Sequence, residues 1–190
     1  PRAKLPVADL AIGALRRMAR EQFDSFTHLL ETLAAADEQI DLFEFSLSKL
    51  VIRHLEPHFL KDRKKVAQVY SLKRLNHECS VLISSLACTA GSDDETIKMA
   101  YDAGAAHLAS ATELNQLPPT ECGIHELDQA LVALVGVGPK LKRQLIETAA
   151  ATVSADGCLQ IQEAELLRAI SDSLDCPMPP LAIVLDTGAQ

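Results

Sequence analysis

Tryptophan is absent from the chain, and aromatic residues make up only 4% of it. Sheet proteins depend on aromatic and β-branched side chains, so this scarcity argues against a sandwich or a barrel of strands. Ala and Leu dominate instead, and both favour helices that pack through small or γ-branched side chains. We therefore predict an all-α fold, a single bundle of about eight helices joined mostly by short connections.

No apolar run is long enough to cross a membrane. The longest nearly uncharged stretches, such as ALVALVGVG at 130–138, fall far short of the ~20 residues that a spanning helix needs. A signal peptide pattern is also missing. We expect the chain to be soluble as given, and its start at Pro1 without an initiator Met suggests a piece of a larger protein.

The five cysteines follow no disulfide framework. They are odd in number, and none of them forms a Cys-x-x-Cys pair. Reduced thiols in a cytosolic protein are therefore expected. The net charge of -8 argues against nucleic-acid binding by the whole protein surface, although it is compatible with local basic patches.

A chain of 190 residues with 48% hydrophobic content is long enough for one substantial core. We divide it into an N-terminal amphipathic helix at 1–20, a helical domain at 21–176 and a C-terminal tail at 177–190. Arg16, Arg17 and Arg20 cluster near the end of the first helix. Two interpretations stay open for these arginines, a solvated helix face or a juxtamembrane segment on the cytoplasmic side of a membrane.

Hydrophobic periodicity and breaker residues place the helices. Val7 and Leu10 are expected on the inward face of the first helix and Leu29 on that of the second, while Pro57 is expected to end the third. A long loop is predicted at 110–123, around Pro118 and Pro119. The predicted helices cover about 6–20, 21–36, 41–57, 66–90, 93–109, 124–135, 139–154 and 160–175.

One pattern occurs twice, at a constant separation along the chain. It consists of Ala-Asp, two free positions, an aliphatic residue, three free positions and a glutamate, followed by aliphatic residues at helical spacing. Each copy is typical of a helix, a tight acidic turn and a second helix, so we expect two pseudo-symmetric units around one core. The paired positions are Ala36, Asp37, Ile40, Glu44 and Leu47 in the first copy and Ala155, Asp156, Leu159, Glu163 and Leu166 in the second.

The acidic turns allow two interpretations. In the first, Asp41 and Glu44 form a capping box, and Asp37 and Asp156 close their turns through Asx-type hydrogen bonds. In the second, ligands from both turns hold a weakly bound calcium or magnesium ion. A conventional EF-hand is not expected, because Thr152 and Ser154 stand where its first carboxylates belong. The candidate metal ligands are Asp37, Asp41, Glu44, Asp156 and Glu163.

The paired acidic pattern resembles the TerB-like helical domains associated with tellurite resistance. Three stretches, LPVADLAIGALRRM, DLFEFSLSKLVIRHLEPHF and ADGCLQIQEAELLRAISDSLDCPMPPL, also resemble the cytosolic C-terminal region of bacterial membrane-bound zinc metallopeptidases of the HtpX kind. The resemblance implies a non-catalytic regulatory or interaction domain on the cytoplasmic side of the inner membrane. The partners of this domain would be the parent peptidase and membrane-proximal proteins. By the same resemblance, the acidic turns would form a metal site.

Such a peptidase carries His-Glu-x-x-His on a helix, and this motif is missing here. His77-Glu78 is followed by Val81 where the second histidine belongs, and Glu56 and Pro57 interrupt the spacing of His54 and His58. We expect the histidines to lie on the surface or at helix ends. No enzyme activity is predicted for this chain, and catalysis would belong to residues upstream.

Two further alternatives concern basic residues. GVGPKLKR resembles a helix-hairpin-helix turn, in which glycine backbone amides and nearby cations bind a nucleic-acid phosphate. Its relevant residues are Gly136, Gly138, Lys140, Lys142 and Arg143. The KDRKK run at 61–65 is compatible with an anionic lipid or an acidic partner, and a solvated face is its default interpretation.

Overall fold

The computed structural model describes residues 4–36, 42–60, 69–91, 93–109, 112–157, 159 and 161–176. In these ranges the chain forms eight α-helices and two short 3-10 helices, at Leu72–Arg74 and Pro119–Glu121. The all-α prediction is confirmed. The helices are α1 (Lys4–Leu15), α2 (Arg20–Ala36), α3 (Leu42–Phe59), α4 (Asn76–Ala90), α5 (Asp94–Leu108), α6 (Ile124–Leu134), α7 (Pro139–Val153) and α8 (Ile161–Ser173).

Local sequence signals account for several helix starts. The Asp93 carboxylate caps α5 by accepting a 2.9 Å hydrogen bond from the Thr96 N–H, which satisfies one free donor of the first turn. Gly138 precedes α7, and Pro139 occupies its first turn, where a missing N–H costs nothing. These two helices begin where the sequence predicts them.

Helix α1 buries only part of the face that the sequence predicts. Among its described side chains Ile12 is buried, and Leu15 of the predicted face packs against the same core, whereas Val7 and Leu10 of that face are 58% and 79% exposed. The prediction for Leu29 of α2 is also wrong, since that side chain is 56% exposed. Apolar residues lie all around α1, so spacing alone could not select the packed face.

Helix α3 continues past Pro57 to Phe59, which corrects the predicted end. Proline removes only one donor from the helical ladder, and that loss is tolerated near a helix end. Arg20 supports this end, because its Nη1 donates to the Phe59 carbonyl at 2.7 Å. The Phe23 ring stacks on the Phe59 ring with centroids 4.5 Å apart. The last turn of α3 is therefore held by α2.

The predicted helix at 66–90, for which the sequence allows a break near Ser71, is α-helical among its described residues only from Asn76 to Ala90, after the short 3-10 helix that Ser71 caps. Val69 lies outside any helix and forms a parallel bridge with Val137. Its N–H donates to the Gly136 carbonyl at 2.8 Å, and its carbonyl accepts from the Gly138 N–H at 2.9 Å. Helical periodicity could not reveal this pairing, because the partner lies in the turn between α6 and α7.

The main core lies among α4, α5, α6, α7 and α8. Its fully buried side chains include Leu82 and Ile83 of α4, Leu145 of α7 and Ile170 of α8. Helices α5 and α7 approach closely at Gly104, where an added Cβ would fall on Thr152 Oγ1. A glycine is needed there because the helices leave no room for a side chain.

The loop at 112–123 lies along α4 and is fixed by serine side chains. Ser80 Oγ accepts from the Asn115 N–H at 3.1 Å, and Ser84 Oγ accepts from the Leu117 N–H at 3.0 Å. These serines are four residues apart, so they lie on one face of α4. The predicted long loop is confirmed, and two of its backbone donors, at Asn115 and Leu117, are satisfied by serines of α4.

A second core joins the two ends of the described chain. It is formed by Ile12, Phe23, Leu50, Leu55 and Ala169, which belong to α1, α2, α3 and α8. Helices α3 and α8 pack on each other, and each is the second helix of a predicted acidic unit. The pseudo-symmetric repeat and its TerB-like arrangement stay predictions.

Candidate functional site

A cavity of about 440 Å³ opens beside the packed helices α3 and α8, near the end of α1. Charged and imidazole side chains dominate its wall. The lining residues are Arg16, Arg53, His54, Pro57, His58, Asp172 and Asp175. Pockets that bind small ligands have volumes in this range, with a few converging polar groups.

The α3 residues reach the cavity because of their spacing. Arg53 and Pro57 are four residues apart, as are His54 and His58, so all four occupy one side of the helix. Leu55 is fully buried in the second core and fixes the rotation of α3. The continuation of α3 through Pro57 keeps His58 in helical register with His54.

Helix α8 ends in a Schellman-type motif that presents Asp175. The Cys176 N–H donates to the Ser171 carbonyl and the Asp175 N–H to the Asp172 carbonyl, both at 2.9 Å. Asp175 has φ 56°, the left-handed conformation that glycine usually takes at this position. An aspartate there costs roughly 1 kcal/mol more than glycine. Strain of this kind is often found where a side chain has a specific function.

His54 and Asp172 form a pair across the helix interface. His54 Nε2 lies 3.1 Å from Asp172 Oδ1 and 3.1 Å from Asp172 Oδ2. Asp172 is only 8% exposed, and a buried carboxylate needs such a partner. Since His54 is on α3 and Asp172 on α8, this contact closes one side of the cavity.

Asp175 is shared by two cations from different helices. Arg53 Nη2 contacts Asp175 Oδ1, and Lys142 Nζ of α7 lies 3.9 Å from Asp175 Oδ2. Burial lowers the pKa of Lys142; the nearby carboxylate of Asp175 opposes this change and Arg53 adds to it. The side chain of Lys142 is only 13% exposed. It therefore lies behind Asp175, outside the lining of the cavity.

The charges of this wall do not cancel. Arg53 and Lys142 share the Asp175 carboxylate, and Asp172 faces the imidazole of His54. Arg16 also lines the cavity, and in the described part of the chain its guanidinium has no ion pair. Leaving the imidazoles out of the count, the lining and the Lys142 side chain behind it together have three cations and two carboxylates, a surplus of one positive charge that suits an anionic group.

The structure places the predicted acidic residues only in part. Asp37 and Asp41 lie outside the described residues, and Glu44 belongs to the first turn of α3. Asp156 is exposed in the turn between α7 and α8, where Gly157 has φ 81°, and Glu163 is half-buried in α8. Both Asp156 and Glu163 interact within the protein. Among the side chains that are described, no three His, Cys, Asp or Glu residues form a metal-binding group.

The GVGPKLKR turn uses its own backbone donors. The Gly136, Val137 and Gly138 N–H groups donate to the carbonyls of Ala133, Leu134 and Val69, at 3.4, 3.2 and 2.9 Å. The cations of this stretch also diverge. Lys142 faces Asp175, whereas Arg143 pairs with Glu147 at 2.8 Å on the exposed side. A phosphate would therefore not find the free amides that a helix-hairpin-helix turn offers.

The cavity residues were not predicted as a site. His54 and His58 are expected at the surface or at a helix end, because Pro57 is expected to break α3. Their spacing of four residues was the available signal, and it holds because α3 continues. Asp172 and Asp175 had no sequence signal, since their partners come from α3 and α7. The KDRKK run lies outside the described residues.

The described helices include none that is both long enough and apolar enough to span a membrane. Among the described residues, the thiols of Cys79, Cys88, Cys122 and Cys176 are free. A scan against protein-family models found no match, and searches of curated proteins and of solved structures also found none.

Proposed function

We propose that this chain is a non-catalytic interaction domain of a bacterial membrane-bound zinc metallopeptidase and that the α1–α3–α8 cavity is its binding site. One observation carries the proposal. All seven lining residues of the cavity fall within the three stretches that resemble the C-terminal region of such peptidases. The middle of the chain, from α4 to α7, contributes none of the residues that line it.

The composition of the cavity favours binding over catalysis. His54 and Asp172 form a pair that could orient an imidazole, but the described lining contains no Ser, Thr or Cys side chain beside it. A nucleophile would have to stand within hydrogen-bond reach of the base. In the proposed arrangement the domain lies on the cytoplasmic side of the inner membrane, and it regulates or recruits partners for an upstream catalytic domain.

The reading frame upstream of Pro1 provides the first test. It is expected to encode transmembrane spans and a helix that contains His-Glu-x-x-His. A frame without them contradicts the assignment to a peptidase.

The cavity is tested in the full-length protein. Arg16→Gln and His58→Leu are expected to change peptidase activity by about fivefold or more, a normal scale for coupling between sites. Arg17→Gln is the matched control, because Arg17 is exposed beside Arg16 and does not line the cavity. Equal activity in all variants, at equal protein levels, contradicts a regulatory role for the cavity.

The second part of the proposal is that the acidic turns bind a divalent cation. Its ligands would be Asp37, Asp41, Glu44, Asp156 and Glu163, which offer the carboxylate oxygens that calcium and magnesium prefer. The exposed Asp156 beside Gly157 at positive φ supports this turn as a loop that could present oxygens.

Calorimetry with calcium and with magnesium tests the cation site on the isolated chain. Binding at millimolar ion that is lost in Asp156→Asn and in Glu163→Gln is expected. Absence of heat at this concentration leaves helix capping as the role of these residues.

A further inference from the structure

The cavity wall has a charge that one small anion would neutralise. The cations that line it are Arg16 and Arg53, a third cation, Lys142, lies behind Asp175, and the lining carboxylates are Asp172 and Asp175. Both carboxylates already face cations or an imidazole of the protein, while Arg16 has no such partner among the described residues. The positive charge left over is therefore located mainly at Arg16.

The two carboxylates of the wall also limit the charge of the ligand. Asp172 is 8% exposed, and its position is fixed by His54, so it cannot turn away from an incoming anion. A phosphate group with about two negative charges at neutral pH would exceed the surplus and face both aspartates. A single carboxylate matches the surplus without excess repulsion.

The geometry of the cations favours a carboxylate as well. Guanidinium groups bind carboxylates through paired N–H donors, which adds direction to the charge attraction. Arg53 contacts the carboxylate of Asp175 through one nitrogen, Nη2. His58 is exposed and also lines the cavity, so it can supply a further N–H donor to a bound group.

We infer that the cavity binds a single carboxylate of a partner peptide, with Arg16 as its main ligand and with Arg53 and His58 beside it. The volume of about 440 Å³ accommodates a terminal residue together with its carboxylate. Proline at position 57 adds an apolar surface to the lining, against which a peptide side chain or backbone can pack.

This inference deepens the proposed function, and it rests on that proposal only for the location of the site. The test uses the isolated chain and does not require a peptidase. The probes are an acetylated penta-alanine with a free C-terminus, the same peptide as its C-terminal amide, acetate, inorganic phosphate and phosphatidylglycerol vesicles.

Binding is followed by two-dimensional NMR of the ¹⁵N-labelled chain at low ionic strength. The free-acid peptide is expected to shift the signals of the cavity residues and to saturate, and the amide is expected to leave them unchanged. Arg16→Gln is expected to weaken binding by about tenfold or more, the effect of one charged hydrogen bond. Arg17→Gln is expected to bind as the wild type does.

A second variant keeps the test independent of any change in folding. His58→Gln retains an N–H donor in place of the imidazole and is expected to bind within about threefold of the wild type, whereas His58→Leu is expected to bind more weakly. Spectra of each variant without ligand confirm that the fold is retained.

Several results would overturn the inference. Equal binding of the acid and the amide excludes recognition of the carboxylate. Phosphate that binds more tightly than the free-acid peptide excludes the argument from the surplus charge. Acetate that binds as tightly as the peptide excludes a peptide as the source of the bound carboxylate. Vesicle binding that Arg16→Gln and Arg17→Gln weaken equally, without any peptide binding, assigns these arginines to a lipid surface.

Failure of this inference is distinguishable from failure of the proposed function. An upstream frame without a peptidase leaves carboxylate binding by the isolated chain intact. Conversely, cavity variants that alter the peptidase without any carboxylate binding keep the cavity as an interaction site but exclude this ligand.

Discussion

Asp175 reaches the guanidinium of Arg53 from a left-handed backbone conformation, with φ 56°. Two opposing effects on stability therefore meet at Asp175: backbone strain at the end of α8 lowers stability, and charge pairing with α3 raises it. Lys142 approaches the same carboxylate from α7. A single strained residue therefore connects three helices around the cavity.

Substitution of Asp175 separates these effects. Asp175→Ala loses the ion pairs and keeps the strained φ, whereas Asp175→Gly loses the same ion pairs and removes the strain. We expect the glycine variant to be more stable than the alanine variant by roughly 1 kcal/mol. Urea denaturation of both variants measures the difference. Equal stabilities would show that the backbone at this position relaxes.

Gly104 is expected to resist replacement although it lies within a helix. Alanine would raise helix propensity by about 1 kcal/mol, but its Cβ would fall on Thr152 Oγ1 and lie 3.3 Å from Ile83 Cγ2. Overpacking of this kind costs about 1–3 kcal/mol, so Gly104→Ala is expected to lower the free energy of unfolding.

Two further variants check the explanation for Gly104. In the background of Thr152→Ala, the added methyl group has room, and the penalty for Gly104→Ala is expected to shrink or reverse. Gly13→Ala in α1 serves as the control, since nothing lies within 4 Å of the position that an added Cβ would take, and it is expected to stabilise the protein. A penalty that persists without the Thr152 side chain would contradict the close approach of α5 and α7 as its cause.

Ser84 is expected to be required for the position of the 112–123 loop. Ser84 is 1% exposed, and its replacement by alanine leaves the Leu117 N–H without its acceptor, at a cost of about 1–2 kcal/mol. Hydrogen exchange at the Leu117 amide is expected to accelerate. Ser25→Ala, an exposed serine that bonds only within α2, is the control. Unchanged protection of Leu117 would mean that the loop is fixed by other contacts.

Alkaline pH is expected to destabilise the fold through buried thiols. Burial raises the pKa of Cys79 from 9.0 to about 12, and the nearby Glu78 adds to this effect. Below pH 9 the thiol is protonated in both states, so its contribution to stability is fully present. As the pH rises from 9 towards 12 the unfolded state loses its proton first, and stability falls by up to roughly 1.4 kcal/mol per pH unit.

The variant Cys79→Ala is expected to have a weaker dependence of stability on pH above 9. Burial also raises the pKa of Cys122 to about 11, so part of the dependence is expected to remain until Cys122 is replaced as well. Denaturation midpoints measured from pH 8 to 11 check this order. A slope that both replacements leave unchanged would exclude the thiols as its source.

The elements that the sequence predicts well are those with local signals. Pro139 and the glycine before it start α7, Asp93 caps α5, and the paired prolines mark the loop after α5. These signals act within a few residues, so they need no knowledge of the fold. The predicted helix pair around each acidic turn is present for the same reason.

Features that depend on distant partners were missed. Val69 leaves the helical pattern because it pairs with Val137, and Leu10 is exposed because Ile12 selects the packed side of α1. The cavity joins α3 to α8, so Asp172 meets His54 only after the helices pack. Composition and periodicity contain no information on such pairings.

The second core gives the order of synthesis a physical consequence. Ile12, Phe23 and Leu50 emerge early, but Ala169 of α8 completes their packing. In a growing chain these apolar side chains would stay exposed to water, or bound by a chaperone, until α8, the last described helix, has left the ribosome. A chain that terminates before α8 is thus expected to aggregate and to be degraded, even though it already contains most of the residues of the main core.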